Sequence, residues 1–466
     1  MRRISIVLLI VATSTQAETF HHPGTAAKPA KSPISIPNRL TLSQAETIAL
    51  QQAPSLAAAN HNTQAAQQVV REARSQFFPQ VFGDITAVGT GNGIENAFGG
   101  SHQAKRTSRL GAGTGLSAST LLNHASIGIN INQLIFDFGR TANLTAASKF
   151  DAMSEVEREE VAKEQVLLQT ADGYFHVLEA QALLSVANQT VSARQVVYDD
   201  VSALAKSKLK SDLDVLFARG DQQKAEHLVL EAKSALSIAN AELSRAMGLQ
   251  ENRVFILAEE PLTQLPAKSA APLVARALKN RPDLIALGDQ VESARKFARA
   301  QGDARLPKLE AFGSFGRTPV GDPGVEGNYS AAGINVELPL FTGGLLSSRE
   351  DEAELRKESQ KELLSDQQLE VVKQVNTAWF DATTALENID LAKELASNAQ
   401  QALELAEAQY RSGQTSIIEL SQAQLNALQT EIDAATAKFD YQLKLLRLDY
   451  ETGDIGLKLY RGQQRH

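Results

Sequence analysis

A stretch running from Gly139 to about Leu249 returns 205 positions later, from Gly344 to about Asp454, without a gap. Phe136 falls on Phe341, Gly139 on Gly344, Tyr174-Phe175 on Trp379-Phe380, Ser207 on Ser412, Ser211 on Ser416 and Gly248 on Gly453. Each copy opens on a proline-free run, 139–205 and 344–410. At 1.5 Å per residue each run makes a helix of roughly 100 Å, a length that no compact globule needs. In the second copy Val375, Trp379, Ala382, Leu386, Ile389, Ala392, Ala396, Ala399, Leu403, Ala406 and Tyr410 step by 4 and 3, except for one 3-3 step at Leu386, Ile389 and Ala392. This is a heptad seam with one phase slip, and its many alanines predict close helix approach.

A second self-similarity has a spacing of 228: Ala49-Leu50, Pro54 and Pro79 match Ala277-Leu278, Pro282 and Pro307. Ser43 with Glu46 three residues on reads as a capping box, and the helical register continues to Phe77-Phe78, where Pro79 stops it. Beyond each proline the period becomes two. Val81, Gly83, Ile85 and Ala87 alternate with Phe82, Asp84, Thr86 and Val88; Ile127, Ile129 and Ile131 with Gly128, Asn130 and Asn132; Ile334, Val336, Leu338 and Leu340 with Gly333, Asn335, Glu337 and Pro339. Leu309 to Arg317 is the weakest of the four runs. Each has the length of a tilted transmembrane strand, although any one alone also fits a half-buried soluble hairpin. The extra residues of the first hairpin lie in a Gly-, Asn- and Ser-rich loop around Gly89 to Asn123.

The return helices, expected over 212–247 and 416–451, are about half the outbound length. The lengths close if each stacks end to end with one of the helices before a strand, 42–78 or 272–306. The expected order is a signal peptide (1–17), a Pro-rich leader (18–40), a first repeat (41–250) and a mid-height linker (251–271). A second repeat (272–456) and a C-terminal tail (457–466) follow. Within the repeats the hairpins span 80–136 and 308–341, and the long helices 139–205 and 344–410. The hinges Phe136-Asp137-Phe138-Gly139 and Phe341-Thr342-Gly343-Gly344 turn strand into helix, with glycine for the swing and aromatics suited to a membrane interface; a plain turn with a buried Phe fits either copy alone.

Formal net charge is −8 with both signs interleaved, so no nucleic-acid footprint is present. Arg2-Arg3, the apolar run Ile4 to Ala12 and the small residues near Ala17 read as a secretory signal, with the mature chain expected to begin at Glu18. There are no cysteines, hence neither disulfides nor an N-terminal lipid-modified cysteine. No later stretch is apolar for eighteen residues, so membrane insertion would have to use β-strands. No HExxH, GxSxG, P-loop or dinucleotide motif occurs, which points away from an enzyme and from any cofactor or metal.

Leu42 to Pro79, its copy Ala277 to Pro307, the phrases QLIFDFGR (133–140) and LPLFTGG (338–344), and AQYRSGQTSIIELSQAQ (408–424) resemble the TolC-like outer membrane efflux protein family across essentially the whole mature chain. The resemblance implies a mainly α fold with transmembrane β. A long antiparallel coiled-coil tunnel would be joined to four strands per chain, which contribute to a trimeric twelve-stranded outer membrane β-barrel. An isolated four-strand sheet cannot close, so oligomerisation is expected on physical grounds as well. The implied partners are two further copies of the chain, a periplasmic adaptor, an inner membrane pump of RND or ABC type, and outer membrane lipid. The implied place is the outer membrane of a Gram-negative bacterium, reaching into the periplasm.

Carried over position by position, Glu419 matches an acidic ring residue at the periplasmic tip, Tyr410 a linking tyrosine, and Asp214 the acidic partner in the first copy. Gln422 departs from a common second acid and Thr415 from a basic link, so the charge ring would be single and the tie weaker. Three symmetry-related carboxylates around a narrow pore select cations; equally, Glu419 and Asp214 fit ordinary helix-start acids favoured by the helix dipole. The tip turns Ser207, Ser211, Ser412, Gly413 and Ser416 set turns and caps and lie where an adaptor would dock. Pro79 and Pro307 mark the passage from helix to strand. Three functions fit: a passive conduit for small molecules, the outer membrane part of a type I protein secretion system, and a periplasmic coiled-coil scaffold or adaptor without a pore.

Overall fold

The computed structural model describes residues 39–88, 124–265, 267–321 and 327–455. The expected signal peptide, most of the leader, the loop from Gly89 to Asn123 and the tail lie outside these residues. Everything below concerns the unit that begins at Arg39; Met1–Asn38 form a separate one.

Four strands make one sheet in sequence order: β1 (Gln80–Val88), β2 (His124–Phe136), β3 (Lys308–Gly321) and β4 (Asn328–Glu337). Every neighbouring pair is antiparallel, including β2 with β3, so the two hairpins fuse rather than stand apart. The run expected to be weakest, Leu309 to Arg317, lies in the longest strand and pairs on both sides. Its ladder bonds compensate for its poor alternation. The second hairpin ends at Glu337 and not at Phe341. One face carries Ile85, Ile127, Ile334 and Val336, all exposed on the single chain. On the other face Asn130 donates to Asp84 across the strands, 2.7 Å apart. β1 and β4 each keep an unpaired edge.

Eight helices of the described residues continue this sheet: α1 (Leu42–Gln52), α2 (Pro54–Ser75), α3 (Arg140–Lys206), α4 (Asp212–Ala246), α5 (Ala271–Asn280), α6 (Pro282–Asp303), α7 (Leu345–Arg411) and α8 (Ile417–Glu451). The two long helices have 67 residues each and the two return helices 35 each. The stretches 42–78 and 272–306 are each two helices, a correction to the single register. Pro54 and Pro282 lack the N–H that a continuous helix would need and instead occupy the first position of a new one, after Ala53 and Arg281. The first N-cap is also different: Thr41 accepts from the Gln44 amide, and the Gln44 side chain accepts from Thr41 N–H. Ser43 lies within the first turn of the helix and Glu46 just beyond it.

The end of α4 abuts the α1–α2 break, where Gly248 faces the Gln52 backbone, and the end of α8 abuts Arg281 at the α5–α6 break. Two composite struts result, α4 with α2 and α8 with α6. Helix α3 packs against α1, α2 and α6 above and against α4 and α8 below, whereas α7 packs mainly against α5, α6 and α8 and meets α3 near the far end, where Arg411 pairs with Asp200. The seam of α7 is uninterrupted. Val371, Val375, Ala378, Ala382, Ala385, Ile389, Ala392, Ala399 and Tyr410 are buried, while Leu386 faces out. With Ala378 and Ala385 in place of Trp379 and Leu386 the 4-3 stepping has no slip; hydrophobicity favours the larger residues, but the seam is built for small ones.

Mid-height is held by the residues after Met247. Tyr174 donates its hydroxyl to Leu40 O (3.0 Å) and Ala258 O (2.5 Å), and Trp379, 205 positions on, donates to Ala267 O at 3.2 Å. A buried ionic node lies beside them. Arg281 bonds Glu451 (2.8 Å), Asp283 (2.7 Å) and Gln374 (3.1 Å), fastening α6, α7 and α8. Opposite, on α3, burial pushes the Glu164 carboxyl up to about 7 against the pull of Arg281.

Candidate functional site

Each strand-to-helix passage uses two consecutive left-handed residues, Phe138-Gly139 (φ 56° and 101°) and Gly343-Gly344 (φ 61° and 84°). A side chain is strained there, which accounts for glycine at three of the four positions. In the first hinge Asp137 stabilises the turn by accepting from Gly139 N–H (3.2 Å) and Thr141 N–H (2.7 Å). Phe136 ends β2 with its ring 4.7 Å from that of Phe138, and Phe341 is fully open to its surroundings. Pro79 and Pro307 directly precede β1 and β3.

At the other end the two helical hairpins turn by the same device. α7 ends at Ser412, Gly413 takes φ 78°, and the Gly413 and Gln414 amides donate back to Tyr410 O and Gln409 O. α3 ends at Ser207, and Lys208 takes the left-handed place with φ 61°. Both return helices then begin in a capping box. Ser211 accepts from Asp214 N–H while the Asp214 carboxylate accepts from Ser211 N–H; Ser416 and Glu419 repeat the exchange. Asp214 and Glu419 therefore occupy one equivalent helix-start position. Thr415 also donates to Glu419, and these two bonds hold its carboxyl below the usual carboxylate range, the threonine first. Gln422 is exposed one turn further along.

Tyr410 is buried between the hairpins with Val201, Ala218, Ile417 and Leu420. Its hydroxyl has no hydrogen-bond partner among the described residues. The bond to Asp214 is therefore not made within the chain; that carboxylate instead accepts from Ser211 N–H in the capping box. Asp214 is felt only through its charge: burial first, then Asp214, pushes the Tyr410 hydroxyl up to about 12. The tie between hairpins comes from residues that the sequence reading passed over. Lys210 donates to Tyr410 O at 2.8 Å, with its ammonium 3.8 Å from the tyrosine ring centroid, and Arg411 pairs with Asp200 at 3.0 Å. Lys210 thus supplies a basic link from the first tip where Thr415 offers none. Alternation of sign between Asp200 and Arg411, 211 residues apart, is a signal that a one-dimensional reading does not contain.

A four-stranded sheet open at both edges, hinged onto paired coiled coils that end in capped turns, defines a class of protein in which one small sheet continues into long antiparallel helices. The chain belongs to the outer membrane efflux protein family, whose model matches residues 47–249 and 273–454. It is an outer membrane protein with its helices in the periplasm. Outer membrane protein TolC of Salmonella enteritidis is 23% identical over 441 residues, covering 91% of this chain and 85% of that one. Outer membrane efflux protein BepC of Brucella suis is 23% identical over 70% of this chain and 72% of its own length. In fold, the chain is similar to the outer-membrane channel OprN, with a TM-score of 0.75 at 17% identity over 89% of this chain and 90% of the other. The outer membrane protein VceC of Vibrio cholerae gives 0.72 at 18% identity over 88% and 96%.

Proposed function

We propose that three copies of this chain close into a twelve-stranded barrel continuous with a helical tunnel, and that this tube passively conducts small molecules across the outer membrane. The observation that carries the reading is the pair of unpaired edges, β1 and β4, on a sheet whose one face is apolar. Lipid tolerates no open edge, so the strands need further copies, and closed cyclic symmetry is the simplest way to supply them. The helices agree: α7 lacks a neighbour on one side, and Leu355, Leu369, Phe380 and Leu405 stand exposed along it. A periplasmic adaptor would dock at the turns holding Ser207, Ser211, Ser412, Gly413 and Ser416, and an inner membrane pump of RND or ABC type would drive the cargo. The conduit itself does no catalysis. Its charge filter would be the ring of Glu419 and Asp214, with Tyr410 and Gln422 beside it.

Reconstitution of the purified protein into planar bilayers tests the reading. Discrete single-channel steps are expected. Their absence from correctly folded, membrane-inserted protein would instead leave a scaffold without a pore. Which pump and adaptor co-purify separates small-molecule efflux from type I protein secretion.

A further inference from the structure

One buried charge breaks the apolar seam of α3. Arg194 occupies the position that 205 residues later is Ala399, yet both are buried, at 7% and 5% exposure. Its guanidinium reaches across to α8 and donates to the main-chain oxygen of Gln424 at 2.8 Å. Asp221 on α4 and Glu407 on α7 offset the burial that pulls its pKa down. Ser421 on α8 donates to Asp221 at 2.7 Å, and Lys224 pairs with that carboxylate at 3.0 Å. The Gln424 side-chain amide nitrogen beside it is buried with no partner. Arg194, Asp221, Lys224, Ser421 and Gln424 line a cavity of about 50 Å³, bounded also by Thr190 and Leu428. The node therefore joins both helical hairpins through polar bonds, in a seam where alanine is the alternative.

A buried charge held by a main-chain oxygen, with acids nearby, adds little to stability compared with well-packed apolar residues, whereas stripping it of its partner is costly. Such a charge is better suited to fixing one arrangement of two elements than to strengthening the fold. Arg194 stands twelve residues before the end of α3, about 18 Å from the tip, and Gln424 seven residues into α8, about 11 Å from it. Below them the tip is held by the exposed Arg411–Asp200 pair, by Lys210, and by the small cluster around Tyr410. We propose that closure has two tiers in series: the exposed Arg411–Asp200 pair and the half-buried Lys210 tie at the tip part first, and the Arg194 node stops the parting from travelling up the hairpins. Arg194 is thus a positioning residue for the width of the opened tip. Its bond to a backbone oxygen makes the stop independent of the Gln424 side chain, and its two acidic neighbours on α4 and α7 keep the charge in place whichever tip tie is broken.

This rests on the conduit reading. If the unmodified protein gives no channels, that reading fails; if it gives channels, four proteins decide the inference. Lys210→Ala, Arg194→Leu, their combination and the unmodified chain are compared in planar bilayers for open probability and conductance. Arg194→Leu alone is expected to stay near the unmodified level, because the tip ties still hold. The double variant is expected to exceed the product of the single effects by about three- to tenfold in open probability, as coupled sites do, with a larger conductance step. Arg194→Lys in the Lys210→Ala background restores part of the closure by keeping a cation beside Asp221. A double variant equal to the product of the singles overturns the proposal and leaves Arg194 a packing residue. Should Arg194→Leu fail to assemble, Arg194→Met removes the same guanidinium and its bond to Gln424 O with less loss of side-chain length, and it carries the same comparison with the same two outcomes.

Discussion

Lys208 and Gly413 stand at equivalent places and share the left-handed conformation, but only glycine adopts it without a penalty. Lys208→Gly is expected to raise stability by about 1 kcal/mol, measured as a shift in the denaturation midpoint. The two glycines at the ends of the return helices divide differently. A Cβ on Gly248 would lie 2.9 Å from the Gln52 backbone, while one on Gly453 would meet nothing closer than 3.5 Å. Gly453→Ala should therefore cost about 1 kcal/mol of backbone strain, and Gly248→Ala about 2–4 kcal/mol because α4 must also part from α1. Equal costs at both sites would show that the composite strut is not tight at the first one. Glu46 offers a pH test. Its carboxyl is pushed up to about 7, by burial first and by Glu260 second. The folded protein thus retains a proton that the unfolded chain loses earlier, and the stability it brings is complete below the ordinary carboxylate value and is lost as pH rises through about 7. Glu46→Gln should gain about 2–3 kcal/mol at about pH 8 and nothing near pH 4. A gain independent of pH would mean that Glu46 is already paired.

At the scale of elements, long periodic segments were legible and their junctions were not. The heptad of α7 and the alternation of β4 are written in the sequence because a single face repeats over many residues. The breaks at Ala53 and Arg281 were missed because the apolar pattern continues across Pro54 and Pro282, which begin new helices that the struts need in order to change partner. Thr41 outcompeted Ser43 as a cap for a similar reason: Leu40 pairs with Leu257 in a β-bridge, and this fixes where the chain can first turn helical. The tip was half legible. Capping boxes at Ser211 and Ser416 follow from residue spacing, whereas Lys210 on Tyr410 and Arg194 on Gln424 join residues more than 190 positions apart. A packing test follows for the seam. Ala385→Leu is expected to cost about 1–3 kcal/mol by overfilling a seam built for alanine, while the neighbouring Leu386→Ala should cost less within the chain. The reverse ranking in denaturation would restore the phase slip at Leu386.

At the scale of the assembly, threefold closure would gather six helix-start carboxylates, from Asp214 and Glu419, at one level of the tip. Native mass spectrometry in mild detergent is expected to show trimers, since a sheet with edges at β1 and β4 has no other way to meet lipid. Monomers alone in several detergents would end that expectation. The charge ring then makes a separable claim. The Glu419 carboxyl is held below the usual range by Thr415 and the Ser416 amide, so it stays ionised while ordinary surface carboxylates begin to take up protons. Block of the channel by multivalent cations added from the tip side should consequently persist as pH falls through the ordinary carboxylate range. Glu419→Ala should weaken that block at every pH, whereas Thr415→Val, which removes the hydroxyl donor, should leave block intact near neutrality and make it fade at a higher pH than in the unmodified channel. Lys206, Lys208 and Lys210 crowd the neighbouring turn, so the alternative is a tip whose acids are neutralised locally. In that event neither substitution changes the block, and Glu419 is a helix cap and nothing more.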